Sequence, residues 1–272
     1  SGNICRYARF GYKYYNDNQR LTKPLLKVSG QFKEIDFDQA YSIIAEKIKS
    51  VQAVENAFFA GARLTNEEMF LIQKLARKGA SVNNIASFHY LGREDGLRKM
   101  ADKNVPFEAL VQASKIWLMG SEISRDNAVL GFAINQQHLN NKMPVINITV
   151  NACSVMGHKV DETIRINDYY SFIRAVNHYL VKSGKQNMMF VNDNCTDFDK
   201  FRQELMSEDY RTLVARACGD ASLIESFGDS FNEQMNAVLI ISEKEVSAAA
   251  CAEVRNLALL TGKLGKNASG II

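Results

Sequence analysis

The stretch "KIWLMGSEISRDNAVLGFAINQQHLNNKMPVINITV" (residues 115–150) reads as a strand over 115–120, a helix over 125–139 and a second strand over 144–150. Two strands separated by a helix pair in parallel through a right-handed crossover, which makes this a Rossmann-like unit. Working outward, the alternation continues. A short strand is predicted at 163–166, and Asp168 then caps a helix running to about residue 183. Helices follow near 197–206, 210–218 and 221–234, with a last strand in "AVLIIS" (237–242) and a helix over 246–261. On the amino-terminal side, "LLKVSGQFKEI" (25–35) predicts a hairpin around Ser29-Gly30, and Asp36 caps an amphipathic helix to about residue 51. "NAFFAG" (56–61) is a short buried strand. Thr65 to Glu68 form a capping box whose helix stops at Gly79.

At 272 residues and 46% hydrophobic content the chain can bury two compact α/β units. Its 33 basic and 30 acidic residues are mixed along the whole length, so no charge block indicates nucleic acid or an anionic membrane. Three prolines and 16 glycines exclude a low-complexity linker, and no solenoid period is present. Cys5, Cys153, Cys195, Cys218 and Cys251 are odd in number and form no CxxC pair, which argues against a disulfide framework and fits a reducing cytoplasm. No apolar run reaches bilayer length and no leader is read at the start, so membrane attachment is expected only through a complex. Ser1-Gly2 resembles a cloning remnant and residues 267–272 read as a cut just after an element; the chain is expected to be a piece of a longer subunit.

Several segments, in order, resemble the molybdopterin oxidoreductase family. "ICRYARFGYKYYNDNQRLTKPLLKVSGQFKEIDFDQAYSIIAEKI" (4–48) is similar to the stretch that opens on the last cysteine of an iron-sulphur motif and runs through an Arg-Leu-Thr-x-Pro-Leu turn. "TNEEMFLIQKLARKGASVNN" (65–84) resembles the family's Thr-Asn-Glu-Glu helix and Asn-Asn strand. Residues 115–134 resemble the segment carrying Gly-Ser-Asn-Pro, "IRIND" (164–168) the Arg-Pro-Gly-Thr-Asp segment, and "VRNLALLTGKLGKNASGI" (254–271) the Asn-Leu-Ala-Leu-Leu-Thr-Gly-Asn element. The resemblance implies an α/β chain with two domains of mostly parallel sheet, a Rossmann-like domain inserted into a discontinuous α/β domain. Residues 1–20 would be a connector from an iron-sulphur segment, 21–86 plus 167–262 the discontinuous domain, 87–166 the inserted one, and 263–272 a truncated end.

It also assigns sites. Cys5 matches a fourth ligand of an iron-sulphur cluster, whose other three thiolates would lie upstream. In active members a Cys, selenocysteine or Ser metal ligand follows the Asn-Asn strand. "NNIASFHYLG" (83–92) places Phe88 before His89, and a phenyl ring offers no donor to molybdenum or tungsten, which leaves Ser87 and His89 as the candidates. Gly120 and Ser121 match the phosphate loop of a pterin guanine dinucleotide, although Glu122 stands where the family has Asn and would repel a pyrophosphate. Asp168 matches the guanine-contacting carboxylate and is equally an N-cap. The Asp-Pro-Arg-like nucleotide sequence is replaced by Asn151-Ala152-Cys153. No Ser-His-Asp set, Walker loop or HExxH motif is present.

The reading that follows is a redox scaffold most like the subunit of NADH-quinone oxidoreductase (complex I) that resembles this family, partnered with other NADH dehydrogenase subunits. It is expected to bind no metal or pterin in this piece and to pass electrons through iron-sulphur clusters in its full length. Two alternatives stand beside it: a formate-dehydrogenase-like pterin enzyme with an atypical metal ligand, and a noncatalytic docking module of a hydrogenase-type complex.

Overall fold

Ser29 and Gly30 both need positive φ (50° and 86°) to join two strands with the twist of a two-residue hairpin, and glycine meets that need without strain. In the computed structural model, which describes residues 4–12, 20–61, 64–87, 104–242, 244–266 and 268–272, this turn joins antiparallel β1 (Leu25–Val28) and β2 (Gln31–Glu34). They follow a short helix α1 (Arg6–Phe10). The Asp36 carboxylate accepts from the Gln39 amide at 2.7 Å and starts α2 (Phe37–Lys49). β3 (Phe58–Phe59) lies parallel to β4 (Ile85–Ala86). Between them the reciprocal Thr65–Glu68 capping box opens α3 (Asn66–Lys74). The expected stop at Gly79 takes another form: the helix widens into a π turn over Leu75–Gly79, and Ser81 (φ 53°) carries the left-handed reversal. A β-carbon on Gly79 would stand 3.0 Å from Cδ1 of the half-exposed Leu75, which a larger residue there would push aside by a few tenths of an ångström. These elements form one compact unit, residues 2–91, whose buried cluster is Ala76, Ala80 and Val82 with Ile48, Phe58 and Ile85 against it.

The second compact unit, residues 92–272, is built on a five-stranded sheet. Its elements are β5 (Lys115–Met119), α4 (Ile123–Asp126), α5 (Ala128–Asn141), β6 (Val145–Thr149), β7 (Glu162–Arg165) and α6 (Tyr169–Lys182). They continue with α7 (Met188–Asn194), α8 (Phe198–Met206), α9 (Tyr210–Ala217), α10 (Ala221–Glu233), β8 (Ala237–Ile241), α11 (Ala248–Leu260) and β9 (Gly270–Ile271). The spatial order is β7-β6-β5-β8-β9 and every pairing is parallel. The strands after β5 build outward on one side as far as β7, and the chain then returns to place β8 on the other side of β5. The sheet therefore has its switch point between β5 and β8.

Parallel strands of this kind are buried on both faces. Ile116 and Leu118 of β5, with Val238 and Ile240 of β8, pack against Leu130 and Ile134 of α5. The alternating residues Trp117, Met119, Leu239 and Ile241 face a larger cluster from α6, α10 and α11, in which Trp117 meets Phe231 edge-on at 5.2 Å between ring centroids.

Strand pairing carries the sheet past the boundary expected at residue 166. β8 pairs with β5 and β9 with β8, because "AVLII" is apolar on both faces and needs a two-sided cover. The helix expected over 125–139 is two helices broken at Asn127, whose side-chain oxygen caps α5 by accepting from the Leu130 amide at 3.1 Å. α7 and β9 add to the predicted elements. Among the described residues no helix is long and apolar enough to cross a membrane.

Candidate functional site at the strand switch point

In open α/β sheets ligands bind outside the carboxyl ends of the strands at the switch point, so the loops after β5 and β8 are where this sheet would hold one. The loop after β5 begins at Gly120 (φ 135°), then turns Ser121 and Glu122 so that their amides face the loop after β8. A side chain at Gly120 is sterically excluded: its β-carbon would fall 2.5 Å from Ser242 Cβ and 3.2 Å from Glu245 Oε1. The two loops are closed against each other.

Glu245 fills the space those amides face. Its Oε1 accepts from the Ser121 amide (2.8 Å) and the Glu122 amide (2.8 Å); its Oε2 accepts from the Ser121 hydroxyl (2.8 Å) and from Asn151 Nδ2 (3.2 Å), with the Ser121 amide also 2.9 Å away. Asn151 Nδ2 donates to Ser121 Oγ as well, at 2.8 Å. The loop after β6 is pinned to the same place by Val155 N and Ser154 Oγ, which both donate to the Ser121 carbonyl. Two bonds hold the turn that delivers Glu245: its own amide donates to the Ser242 carbonyl at 3.1 Å, and Lys244 pairs with Asp126 at the end of α4. Ser242 itself is only 5% exposed, and its hydroxyl has no partner among the described residues. Tyr169 stands beside the cluster with its hydroxyl 3.4 Å from the Val150 amide; burial pushes its phenol pKa up.

The positions expected from sequence fall in several places. Gly120 and Ser121 are both in this cluster. Glu122 contributes its amide, while its carboxylate turns away to Arg125 at 2.9 Å, so it is not the charge that meets the amides. Asp168 lies after β7, two strands from β5, where its carboxylate is exposed and accepts from the Ser171 amide at 2.7 Å as the N-cap of α6. Ser87 follows β4 in the other unit, and Phe88 and His89 lie outside the described residues. Cys5 precedes α1 and its sulphur accepts from the Ala8 amide at 3.3 Å. No cluster of three or more potential metal ligands occurs among the described residues. Glu245 and Asn151 had no expected role as partners of Gly120 and Ser121; the signal available was an acidic residue shortly after "AVLIIS", which by itself has many ordinary explanations.

This donor set suits a carboxylate or phosphate oxygen, and the oxygen present is the chain's own. A pyrophosphate does not fit beside it, because two anions would share one nest of amides with no cation among the described residues directly in it.

Comparison with known proteins adds ancestry to this geometry. The molybdopterin oxidoreductase family model matches residues 20–271. The alpha subunit of F420-dependent formate dehydrogenase 2 from Methanococcus maripaludis is 24% identical over 290 residues, covering 99% of this chain and 41% of that one. A protein of Staphylococcus aureus that carries a formate dehydrogenase name is 24% identical over 285 residues, 98% of this chain and 29% of its own. The chain thus spans less than half the length of these relatives. Among solved structures, acetylene hydratase from Pelobacter acetylenicus shares the fold, with a TM-score of 0.66 at 16% identity over 95% of this chain and 38% of its own.

Proposed function

The chain belongs to the molybdopterin oxidoreductase family, and from that premise we propose that it is part of a formate-dehydrogenase-like redox polypeptide. The observation that carries this reading is the near end-to-end match, 98–99% of the chain, to relatives with formate dehydrogenase names. These relatives move the reading away from the complex I subunit and toward the formate-dehydrogenase alternative. Fold likeness alone does not distinguish the two, because one fold hosts many chemistries. In this proposal the chain supplies two α/β units of a larger subunit whose overall reaction takes two electrons and a proton from formate, releasing carbon dioxide. Its own residues contribute scaffold and loop positions.

The donor decides between the readings. The longer polypeptide, purified anaerobically from its native host together with its partner subunits, is expected to reduce a viologen dye with formate and not with NADH. Reduction by NADH without formate would sink the proposal and restore the complex I reading.

A further inference from the structure

The amides that close the switch point already hold an anion, and we infer that Glu245 is a built-in occupant of a phosphate cradle, keeping this crevice shut to nucleotide phosphates until its carboxylate is removed. The inference rests on the geometry around Glu245 and stands apart from the choice of electron donor.

Three observations carry it. First, consecutive amides of Ser121 and Glu122, with the Ser121 hydroxyl and the Asn151 amide, converge at 2.8–3.2 Å on the two oxygens of one carboxylate, an arrangement of donors that binds phosphate oxygens as readily as carboxylate oxygens. Second, this point lies beyond the carboxyl ends of β5 and β8, where the strand order reverses and open α/β sheets take dinucleotide phosphates. Third, Ser242 places an unpartnered hydroxyl, 95% buried, in the wall against Gly120, a donor that the carboxylate does not reach and that an anion with more oxygens could use. A carboxylate satisfies the cradle in cis without the translational cost that a free ligand pays, so an external phosphate competes poorly. The carboxylate of Glu122, the charge that would first be suspected, is engaged with Arg125, and only the Glu122 amide belongs to the cradle.

The test is isothermal titration of inorganic pyrophosphate, and separately of GDP, into the full chain and into Glu245→Ala at constant ionic strength. The wild type is expected to show no saturable binding at millimolar ligand. Glu245→Ala is expected to bind pyrophosphate one to one at least about tenfold more tightly, and adding Ser121→Ala to it should weaken that binding again by about tenfold, the loss of one charge-assisted hydrogen bond. Wild-type binding within twofold of the variant overturns the inference, and so does a folded Glu245→Ala that does not bind pyrophosphate. If Glu245→Ala does not fold, Glu245→Gln keeps the volume and removes the charge: tenfold tighter binding than wild type supports the inference, and equal binding overturns it. GDP binding in the variant beside pyrophosphate binding shows that the crevice also admits the nucleoside; pyrophosphate alone shows a phosphate cradle with that room closed. Either outcome upholds the role of Glu245. Dye reduction by formate or NADH leaves these readouts unmoved, so failure here and failure of the donor assignment are separate events.

Discussion

Lys263 follows α11 with only 4% of its surface exposed, its ammonium donating to the carbonyls of Asn232 (3.1 Å) and Gln234 (2.6 Å) below the face of Phe231. Burial, with a smaller push from Lys266, brings its pKa down from 10.5 to about 8. A neutral amine has two hydrogens for those two carbonyls, so losing the proton does not orphan either acceptor. Between about pH 8 and 10.5 the unfolded chain holds a proton that the folded chain has released; unfolding takes up a proton, and rising pH favours the fold. Stability from this residue should therefore climb across that window by up to about 3 kcal/mol, at about 1.4 kcal/mol for each pH unit crossed. Urea unfolding at pH 7, 8.5 and 10 checks this: the wild-type curve should be steeper than that of Lys263→Met, and parallel curves would refute it. At this scale the sequence is least informative. Lys263 and Glu245 read as ordinary charges, because what makes each special is a partner brought in by topology, 124 positions away in the case of Glu245 and Ser121. Asp36, Thr65 and Asp168 are legible for the opposite reason: each bonds an amide three residues on.

Among the elements, α6 and α11 are joined through a buried charge network that neither segment suggests alone. Arg174 of α6 donates to Glu253 of α11 at 2.9 Å and to Glu208, in the loop between α8 and α9, through Nε at 2.9 Å; Asn177 Nδ2 donates to the other Glu253 oxygen at 2.8 Å. Arg174 and Glu253 are 8% and 6% exposed, so each depends on the other for its charge to be tolerated. Glu253→Ala leaves Arg174 with one carboxylate, Glu208, and should cost about 3–5 kcal/mol, whereas Arg174→Met combined with Glu253→Met should cost much less, because it removes both charges and fills the volume. Denaturant midpoints of the two variants measure the difference; equal losses would show that packing and not charge holds the helices. Strands and helices with a strong local signature are visible beforehand, from "KIWLM" and "VINIT" to the capped α2 and α6. α7 is hidden because "MMFVNDN" lacks an apolar period and starts only when Asn187 caps the Phe190 amide. β9 is hidden because two residues carry no pattern, and it exists through its pairing with β8.

At the scale of the whole chain, the two compact units bury very different amounts of themselves. In residues 92–272 the strands β5 and β8 and most of α6 are buried, with clusters on both faces of the sheet. In residues 2–91 no residue of α2 is fully buried, β2 is exposed along its length, and Phe32, Tyr41, Phe59, Phe70 and Leu71 are each more than half exposed. Burial of apolar surface is the main favourable term in folding, at about 25 cal/mol per Å², so the first unit has little to set against its backbone entropy. Opening free energies in one protein run from near zero for sparsely packed parts to the global value for core strands. Amides of β5, β6 and β8 should therefore exchange with deuterium only through global unfolding. Those of α2 and α3 should exchange at least about a hundredfold faster, a gap of roughly 2.7 kcal/mol, through local opening of the smaller unit. Mass-spectrometric exchange over minutes to hours resolves that ratio. Equal protection would mean that the exposed apolar side chains of residues 2–91 are covered in solution by something of comparable packing, and the longer polypeptide proposed above would then protect them no further. If the predicted gap is found, exchange in that longer polypeptide should show raised protection in α2 and α3 and unchanged protection in β5, β6 and β8, because the smaller unit is the one with extensive apolar surface left to bury.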